Sequence, residues 1–549
     1  MNAEEVRIAA NALKEKWGLR NNKFKAWYDI ILQVDELKQD DMESAVTNEA
    51  RSLYNLALTM LSQEIPHKIP IEKLSPEDIE ATSIIEDFLT TAWKNTQRRY
   101  RRRGEQSAYD TLIKYVLITG WYSIFAPIWE DGLAAEVWNP AEVFPDYDEN
   151  GLAAVTHVYS LVGKKALERA KAKGWSTPTN ITPKQMIVVT DYWYMENEQA
   201  HNVVLFNREA VKPDTTEAFT EIPIFTGPVA GLPDKGTITD NINFQEHYGE
   251  SIVATNEKLY RLYNKQWTFA LQLLRDTANP RWFEQSAGGE AIIDPANLFK
   301  RGAVFRGGIQ DNITPLPVPA LPVELRTDRF DVQQMLQRGG VSFAAYGSAM
   351  TAISGYLMSQ ITSSVKSALK PYHEAIYNAI TDVDNFWLTQ MKELKYKPMK
   401  FSLPKVEADY EASAYYEIQV PGDVIQRATV ARMVDPGFRL SRTMTMETFF
   451  PEITNPLQEQ ARARKDMAMD NSIMAYVSLV EALEAQALAA QKSGSSEGAK
   501  LYASAAAAVR AQISAMSAPS QQEGNEIGTT GANIGQPQNQ PMEAMSGGV

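Results

Sequence analysis

The apolar residues of this chain recur at helical spacing in some regions and in short strand-like runs in others. Over residues 2 to about 62 they return every three or four positions, which predicts helices. Pro76 is typical of a first helical position, and the pattern after it predicts a helix over about 76–100. Another helix is predicted over about 105–119, and Gly120 ends it.

From Trp121 to about residue 245, short segments rich in β-branched and aromatic residues replace the helical spacing. They include WYSIFAPIWE, AAVTHVYSLV and QMIVVTDYWYM, and each predicts a strand. One helical insert, KKALERAKAKG, lies among them. Residues 1–245 are therefore predicted to form an α+β region.

Two predicted helices then flank a β-rich segment. Three- and four-residue steps predict a helix over about 248–277 and a second over about 323–338, which Gly339 and Gly340 end. The segment 279–322 is strand-like, rich in glycine, and closes with PLPVPALP. The pattern predicts two helices that run back past one another, with a compact β element between them.

The last third of the chain is mainly helical in pattern. The uncharged stretch 341–355 precedes a long helix that ends near Lys392, and the strand-like ASAYYEIQV follows. Helical patterns return and end near Met516. Residues 517–549 are rich in Gly, Gln, Asn, Ser and Pro, and are predicted to be disordered because they cannot bury enough apolar surface.

Composition narrows the possible functions. Acidic residues outnumber basic ones by 68 to 54, a net charge of −14. This argues against a protein that grips nucleic acid over much of its surface, because gripping requires many Lys and Arg side chains against phosphates. No cysteine is present, which excludes disulfides, thiolate metal sites and cysteine nucleophiles. No apolar run is long enough to predict a membrane-spanning helix.

No motif for catalysis, cofactor binding or metal binding is found. The chain lacks a P-loop, a dinucleotide-binding glycine motif, a nucleophile elbow and a zinc-protease motif. Its five histidines have no metal-ligand spacing. We therefore expect no catalytic residue, no cofactor and no metal, and predict that the chain is not an enzyme.

A dense basic cluster ends the helix predicted after Pro76. One interpretation is a nucleic-acid patch. The other is a helix C-terminus whose charges complement the helix dipole and contact the acidic surface of a neighbouring subunit. The sequence leaves both open. The cluster comprises Arg98, Arg99, Arg101, Arg102 and Arg103.

Three strings resemble segments of the portal proteins of tailed bacteriophages: VWNPAEVFPDYDENG (137–151), NEKLYRLYNKQWTFALQLL (256–274) and DPGFRLSRTMTMETFFPEITNPLQEQARARKD (435–466). The order of the predicted elements resembles that family as well. The resemblance implies an α+β, mainly helical portal fold with an α/β wing, a two-helix stem, a small clip, a tunnel loop and a helical crown, assembled as a ring. The segments are 1–245 (wing), 246–278 (first stem helix), 279–322 (clip), 323–340 (second stem helix), 341–355 (tunnel loop), 356–421 (wing helix and strand), 422–516 (crown region) and 517–549 (disordered tail).

The resemblance also implies where DNA contacts lie. In the tunnel loop the candidates are Ser342, Phe343, Tyr346, Ser348, Thr351 and Ser354. The uncharged loop would neither pin phosphates nor strongly repel them, and an interhelical connector is the alternative interpretation. On the stem helices the basic candidates are Lys258, Arg261, Lys265, Arg275 and Arg338.

The family implies several partners and a location. The partners are further copies of the chain in a ring, usually of twelve subunits, double-stranded DNA in the channel, the terminase large subunit, head-completion or tail-adaptor proteins, and the major capsid and scaffolding proteins. No membrane is involved. The chain would reside at the portal vertex of the virion, and in the host cytoplasm during assembly. The alternatives are another virion structural protein, such as an adaptor or head protein, and an enzyme of phage DNA metabolism.

Overall fold

The computed structural model of the chain is mixed α and β, as predicted, and divides into two compact units, Met1–Val434 and Asp435–Val549. The residues that it describes are 1–39, 43–70, 76–129, 132–178, 180–232, 248–278, 280–289, 308–317, 322–341, 355–406, 410–418, 444–446, 450, 459–460, 462–463, 472–492 and 496–517.

Five helices open the first unit and confirm the helices predicted there. Asn2 caps the first of them and forms a capping box with Glu5. Pro76 is the first residue of the fourth, the position where its fixed φ and missing N–H are tolerated. The helices are α1 (Ala3–Lys16), α2 (Gly18–Ile31), α3 (Glu49–Leu61), α4 (Pro76–Arg102) and α5 (Ala108–Thr119).

Ten strands in three antiparallel sheets follow among the described residues. The largest is a five-stranded meander of β5 to β9; a second sheet has the order β10-β1-β4, and β2 pairs with β3. Helix α6 (Gly163–Lys173) buries Ala166 and Ala170 against the meander. The strands are β1 (Trp121–Phe125), β2 (Ile128–Trp129), β3 (Gly132–Leu133), β4 (Glu136–Val137), β5 (Val143–Asp148), β6 (Gly151–Val162), β7 (Met186–Glu196), β8 (Gln199–Phe206), β9 (Glu209–Thr216) and β10 (Ile224–Pro228).

Three α-helices and a β hairpin follow in the described residues of the first unit. They are α7 (Glu257–Ala278), β11 (Trp282–Gln285), β12 (Asn312–Pro315), α8 (Val323–Arg338) and α9 (Gly355–Glu393). The predicted bounds of α8 are confirmed, but the helix predicted from residue 248 begins only at Glu257. The preceding backbone is bound elsewhere: Glu250 N–H donates to the Val229 carbonyl and Ile252 N–H to the Leu117 carbonyl. Tertiary hydrogen bonds thus override the helical spacing of the side chains.

The strand predicted in ASAYYEIQV is not a strand over its described residues. Ala412, Ala414 and Tyr416 are buried in alternation, as predicted for an extended segment. Only one bridge forms, between Ser413 and Lys68. The next hydrogen-bonded positions of an antiparallel ladder fall two residues either side of Lys68, and both are prolines without an N–H.

A chain of buried polar side chains crosses the core of the first unit. The Asp384 carboxylate of α9 accepts from Trp93 Nε1 at 2.7 Å and lies 2.6 Å from His67 Nδ1. His67 Nε2 lies 3.0 Å from the Tyr109 hydroxyl. Asp384 is fully buried, so these contacts replace water for its carboxylate. They join α4, α5, α9 and the segment that follows α3.

A second buried charge lies near the start of the chain. The Arg20 guanidinium is stacked 4.8 Å from the ring centroid of Trp17 and 4.6 Å from that of Trp121. It donates to the carbonyls of Pro140 and Val143. Burial lowers the pKa of Arg20 to about 9. Arg20 therefore ties α2 to the backbone around β5.

The second unit contains a helical hairpin in its described part. Helices α10 (Ser472–Lys492) and α11 (Ser496–Ser517) pack against one another, and Arg510 forms an ion pair with Glu484 at 2.6 Å. The predicted Ala-rich last helix is thereby confirmed. The disordered tail was predicted from residue 517, but Ser517 is still the last residue of α11. The rest of the predicted tail, 518–549, lies outside the described part of the chain.

Gly120 provides a test of close backbone packing. Its φ is +64°, and a Cβ there would lie 2.4 Å from the Glu250 carbonyl carbon. Gly104 has a similar φ of +73° but open space around the position of a Cβ. We expect Gly104→Ala to lose about 1–2 kcal/mol of unfolding free energy from the left-handed backbone alone. Gly120→Ala should lose about 1–3 kcal/mol more, because the Glu250 backbone must move.

Urea unfolding of the two alanine variants measures this difference directly. Equal losses for the two variants would contradict the close approach between Gly120 and Glu250.

Candidate functional site

Helices α7 and α8 pack against one another and form a helical hairpin that we call the stem hairpin. The Arg329 guanidinium of α8 lies 4.5 Å from the ring centroid of Trp267 on α7. Val332 and Leu336 of α8 are buried. Asn256 Nδ2, just before α7, donates to the Leu336 carbonyl at 2.8 Å and fixes the end of α8 beside the start of α7.

Gly339 allows this junction. A Cβ at Gly339 would lie 2.2 Å from Asn256 Oδ1, so no larger residue fits without a shift. Its φ is −85°, so the helix stop predicted at Gly339 and Gly340 is present but does not use a left-handed backbone. Glycine is needed here for the approach of the Asn256 side chain, which the helix pattern alone did not predict.

The base of the stem hairpin is tied to the N-terminal helical region. Asn264 Oδ1 accepts from the Thr47 N–H at 2.9 Å and from the Thr47 hydroxyl at 2.8 Å. The Ala45 N–H donates to Thr268 Oγ1 at 3.1 Å. These bonds hold one side of α7 and leave its other side uncovered.

The uncovered side of the stem hairpin exposes large apolar side chains. On α7, Leu262 and Phe269 lie seven residues apart on one face, with 43% and 51% of their surfaces exposed. Phe330 on α8 is 58% exposed. Apolar side chains that cluster on a protein surface mark sites of protein association. Exposed apolar residues of the hairpin are Leu262, Trp267, Phe269, Leu274, Val323, Phe330 and Met335.

A two-stranded element stands between α7 and α8 in the chain. β11 and β12 pair antiparallel from Trp282 opposite Pro315 to Gln285 opposite Asn312. Asp311 accepts from the N–H groups of Ala287 and Gly308, and these bonds lower the pKa of its carboxyl. The predicted β character of the segment 279–322 is confirmed in its described residues. Exposed apolar side chains here are Trp282, Phe283, Ile309 and Leu316.

The basic candidates of the stem helices differ in their surroundings. Arg261 forms an ion pair with Glu36 at 3.4 Å, and Lys265 Nζ lies 5.7 Å from the Phe269 ring centroid. Arg275 is half-buried. Lys258 and Arg338 are exposed, and neither forms an ion pair with another described residue. Charged and apolar side chains share one face of α7, because helical spacing places Lys258, Leu262, Lys265 and Phe269 in one row.

The arginine cluster lies in the α+β region and not on the stem hairpin. Arg103 forms an ion pair with Glu136 at 3.0 Å, and the Arg99 guanidinium lies 5.1 Å from the Trp129 ring centroid. Arg98, Arg101 and Arg102 are exposed without an ion pair to any residue that the structure describes.

The tunnel-loop candidates Ser342, Phe343, Tyr346, Ser348, Thr351 and Ser354 lie outside the described residues. In the described part, no helix is long and apolar enough to cross a membrane. The same residues contain no group of three or more His, Asp or Glu side chains arranged to hold a metal ion. No protein-family model matches the chain, and no curated protein matches it in sequence.

Proposed function

We propose that the chain is the portal protein of a tailed bacteriophage and forms a ring-shaped DNA channel at one vertex of the capsid. The observation that carries the proposal is the stem hairpin. Two helices with exposed apolar side chains, joined through a small β hairpin, lie in the chain between an α+β region and the long helix α9. This is the element order of wing, stem, clip, stem and wing.

Ring formation follows from the exposed face of the stem hairpin. Burying a Leu or Phe side chain contributes about 1.5–3 kcal/mol, and several such side chains remain exposed in the single chain. A head-to-tail contact between one face of the hairpin and another face of the next copy covers them. Such contacts close into a ring when the rotation that relates neighbouring copies is a whole fraction of a full turn.

The charge of the chain suits a conduit. Each phosphate that a protein neutralises adds salt-sensitive affinity, and this affinity would slow DNA that moves along a channel. A chain with a net charge of −14 keeps such affinity low over most of its surface. The proposed role is structural and requires no catalytic residue, cofactor or metal.

The proposed partners follow from this role. The terminase large subunit docks on the clip, 279–322, while DNA is packaged. Head-completion or tail-adaptor proteins replace the terminase later, and DNA passes through the same channel during ejection. The major capsid and scaffolding proteins surround the ring at the vertex.

Negative-stain electron microscopy of the purified chain tests the proposal. We expect annular particles, about twelve-fold in end view, with a stain-filled central hole. Compact particles without a hole, at every protein concentration and salt condition, would exclude a portal and favour another virion protein or an enzyme.

A further inference from the structure

Two helices that are distant in sequence bring their basic C-terminal ends together at Trp129. The Arg99 guanidinium of α4 and Lys173 Nζ of α6 each lie 5.1 Å from the Trp129 ring centroid. At most twice that distance separates the two cations. Together, residues 94–105 and 163–173 form one surface region, which we call the α4–α6 face.

The α4–α6 face has the opposite charge to the rest of the chain. It carries eleven basic and two acidic residues, although the net charge of the whole chain is −14. Of the eleven, only Arg103 forms an ion pair with a described residue, Glu136. The other exposed basic side chains include Lys94, Arg98, Arg101, Arg102, Lys164, Lys165 and Lys171.

Helix dipoles account for only part of this accumulation of charge. The dipole favours cations in the last turn of a helix and disfavours them in the first. Arg99, Arg101 and Arg102 lie in the last turn of α4. Lys164 and Lys165, however, lie in the first turn of α6, and that turn contains no acidic residue. Their positive charge opposes the dipole, and Glu168 on the next turn forms an ion pair with neither of them. An external anion would compensate for this charge.

The exposed side chains of the α4–α6 face are typical of a nucleic-acid interface and not of a protein interface. Protein interfaces have an apolar core, whereas interfaces with DNA are more polar and far more positively charged. No large apolar side chain is exposed within 94–105 or 163–173, all of which the structure describes. The stem hairpin, by contrast, exposes seven large apolar side chains, which is typical of a protein interface.

We propose that the α4–α6 face binds the phosphate backbone of double-stranded DNA without sequence preference. Guanidinium groups donate two parallel hydrogen bonds to a phosphate, and α4 presents three of them unpaired. The lysines of α6 extend the same positive surface. This contact is additional to the proposed channel and does not require a ring.

A covalently closed DNA minicircle is the probe, because a closed circle cannot thread a closed ring and reports only on outer surfaces. Fluorescence anisotropy measures its binding to the full chain over a series of salt concentrations. The test variant is Arg98→Glu/Arg101→Glu/Arg102→Glu. We expect its dissociation constant to rise at least about tenfold, and the slope of log affinity against log salt to fall by about 3.

The matched control reverses three exposed lysines that lie in other parts of the chain, Lys14→Glu/Lys25→Glu/Lys38→Glu, and changes the net charge equally. We expect it to bind the minicircle within about threefold of the unchanged chain. An equal loss in both triple variants would overturn the proposal, because it would reflect net charge alone.

A second test variant on α6, Lys164→Glu/Lys165→Glu/Lys171→Glu, keeps the test valid if the arginine variant does not fold. It should weaken minicircle binding to a similar extent. If either variant binds DNA as the unchanged chain does but no longer associates with other copies, the face is a contact between subunits and the DNA proposal is wrong.

Discussion

Replacing Asp384 with alanine is expected to lower the free energy of unfolding by about 3–5 kcal/mol, because two buried hydrogen-bonding groups lose the carboxylate that they contact. The carboxylate is fully buried and binds both Trp93 and His67. Its loss leaves the Trp93 indole N–H and the His67 Nδ1 without their partner in the buried core. Each such orphaned group costs about 1–3 kcal/mol.

Urea unfolding followed by tryptophan fluorescence measures this loss, because Trp93 itself reports on the network. Asp384→Asn keeps one carbonyl acceptor and should lose less than alanine. The matched control is Asp382→Ala on the same helix, where the residue is exposed, forms no hydrogen bond or ion pair with a described residue, and the expected change is within about 0.5 kcal/mol. If Asp384→Ala costs no more than Asp382→Ala, the network does not stabilise the first unit.

Placing charges on the uncovered face of α7 is expected to convert rings into single subunits. In Leu262→Glu/Phe269→Glu, each subunit contact loses two apolar side chains worth about 1.5–3 kcal/mol each. The contact must also bury the two introduced carboxylates, which is unfavourable, or leave space for them to remain in water. A loss of about 3 kcal/mol per contact corresponds to more than a hundredfold in affinity, so assembly should fail at concentrations where the unchanged chain forms rings.

Size-exclusion chromatography with in-line light scattering measures this effect. The control variant is Ile8→Glu/Met186→Glu, in which both side chains are 59% exposed and lie away from the stem hairpin. It should assemble as the unchanged chain does. Circular dichroism checks that both variants keep their helices. Loss of rings in the control alone would place the subunit contact on another surface.

The elements that the sequence predicted well are those whose side-chain spacing and end signals agree. Helix α8 has an apolar stripe and a glycine pair after its last residue, and both of its ends were predicted. The start of helix α4 at Pro76 was also predicted, because a proline start signal precedes the helical spacing. The start of α7 was predicted too early because the carbonyls of Leu117 and Val229 take the backbone hydrogen bonds of 248–252. Such partners have no local signal in the sequence.

The uncovered helix faces, the buried polar network and the α4–α6 face depend on contacts between distant residues. Leu262 and Phe269 could be assigned to one helix face from their spacing, but only the packing of α8 and residues 45–47 shows which faces stay uncovered. His67 and Asp384 are 317 positions apart. The arginine cluster was visible in the sequence, whereas its junction with α6 through Trp129 was not.

The mass of the assembled particle tests the central proposal most directly. Mass photometry of the purified full chain, at several salt concentrations, measures it without labels or partners. We predict a dominant species close to twelve times the 61.4 kDa of one chain. A single species at the mass of one chain, under all conditions, would contradict the portal ring.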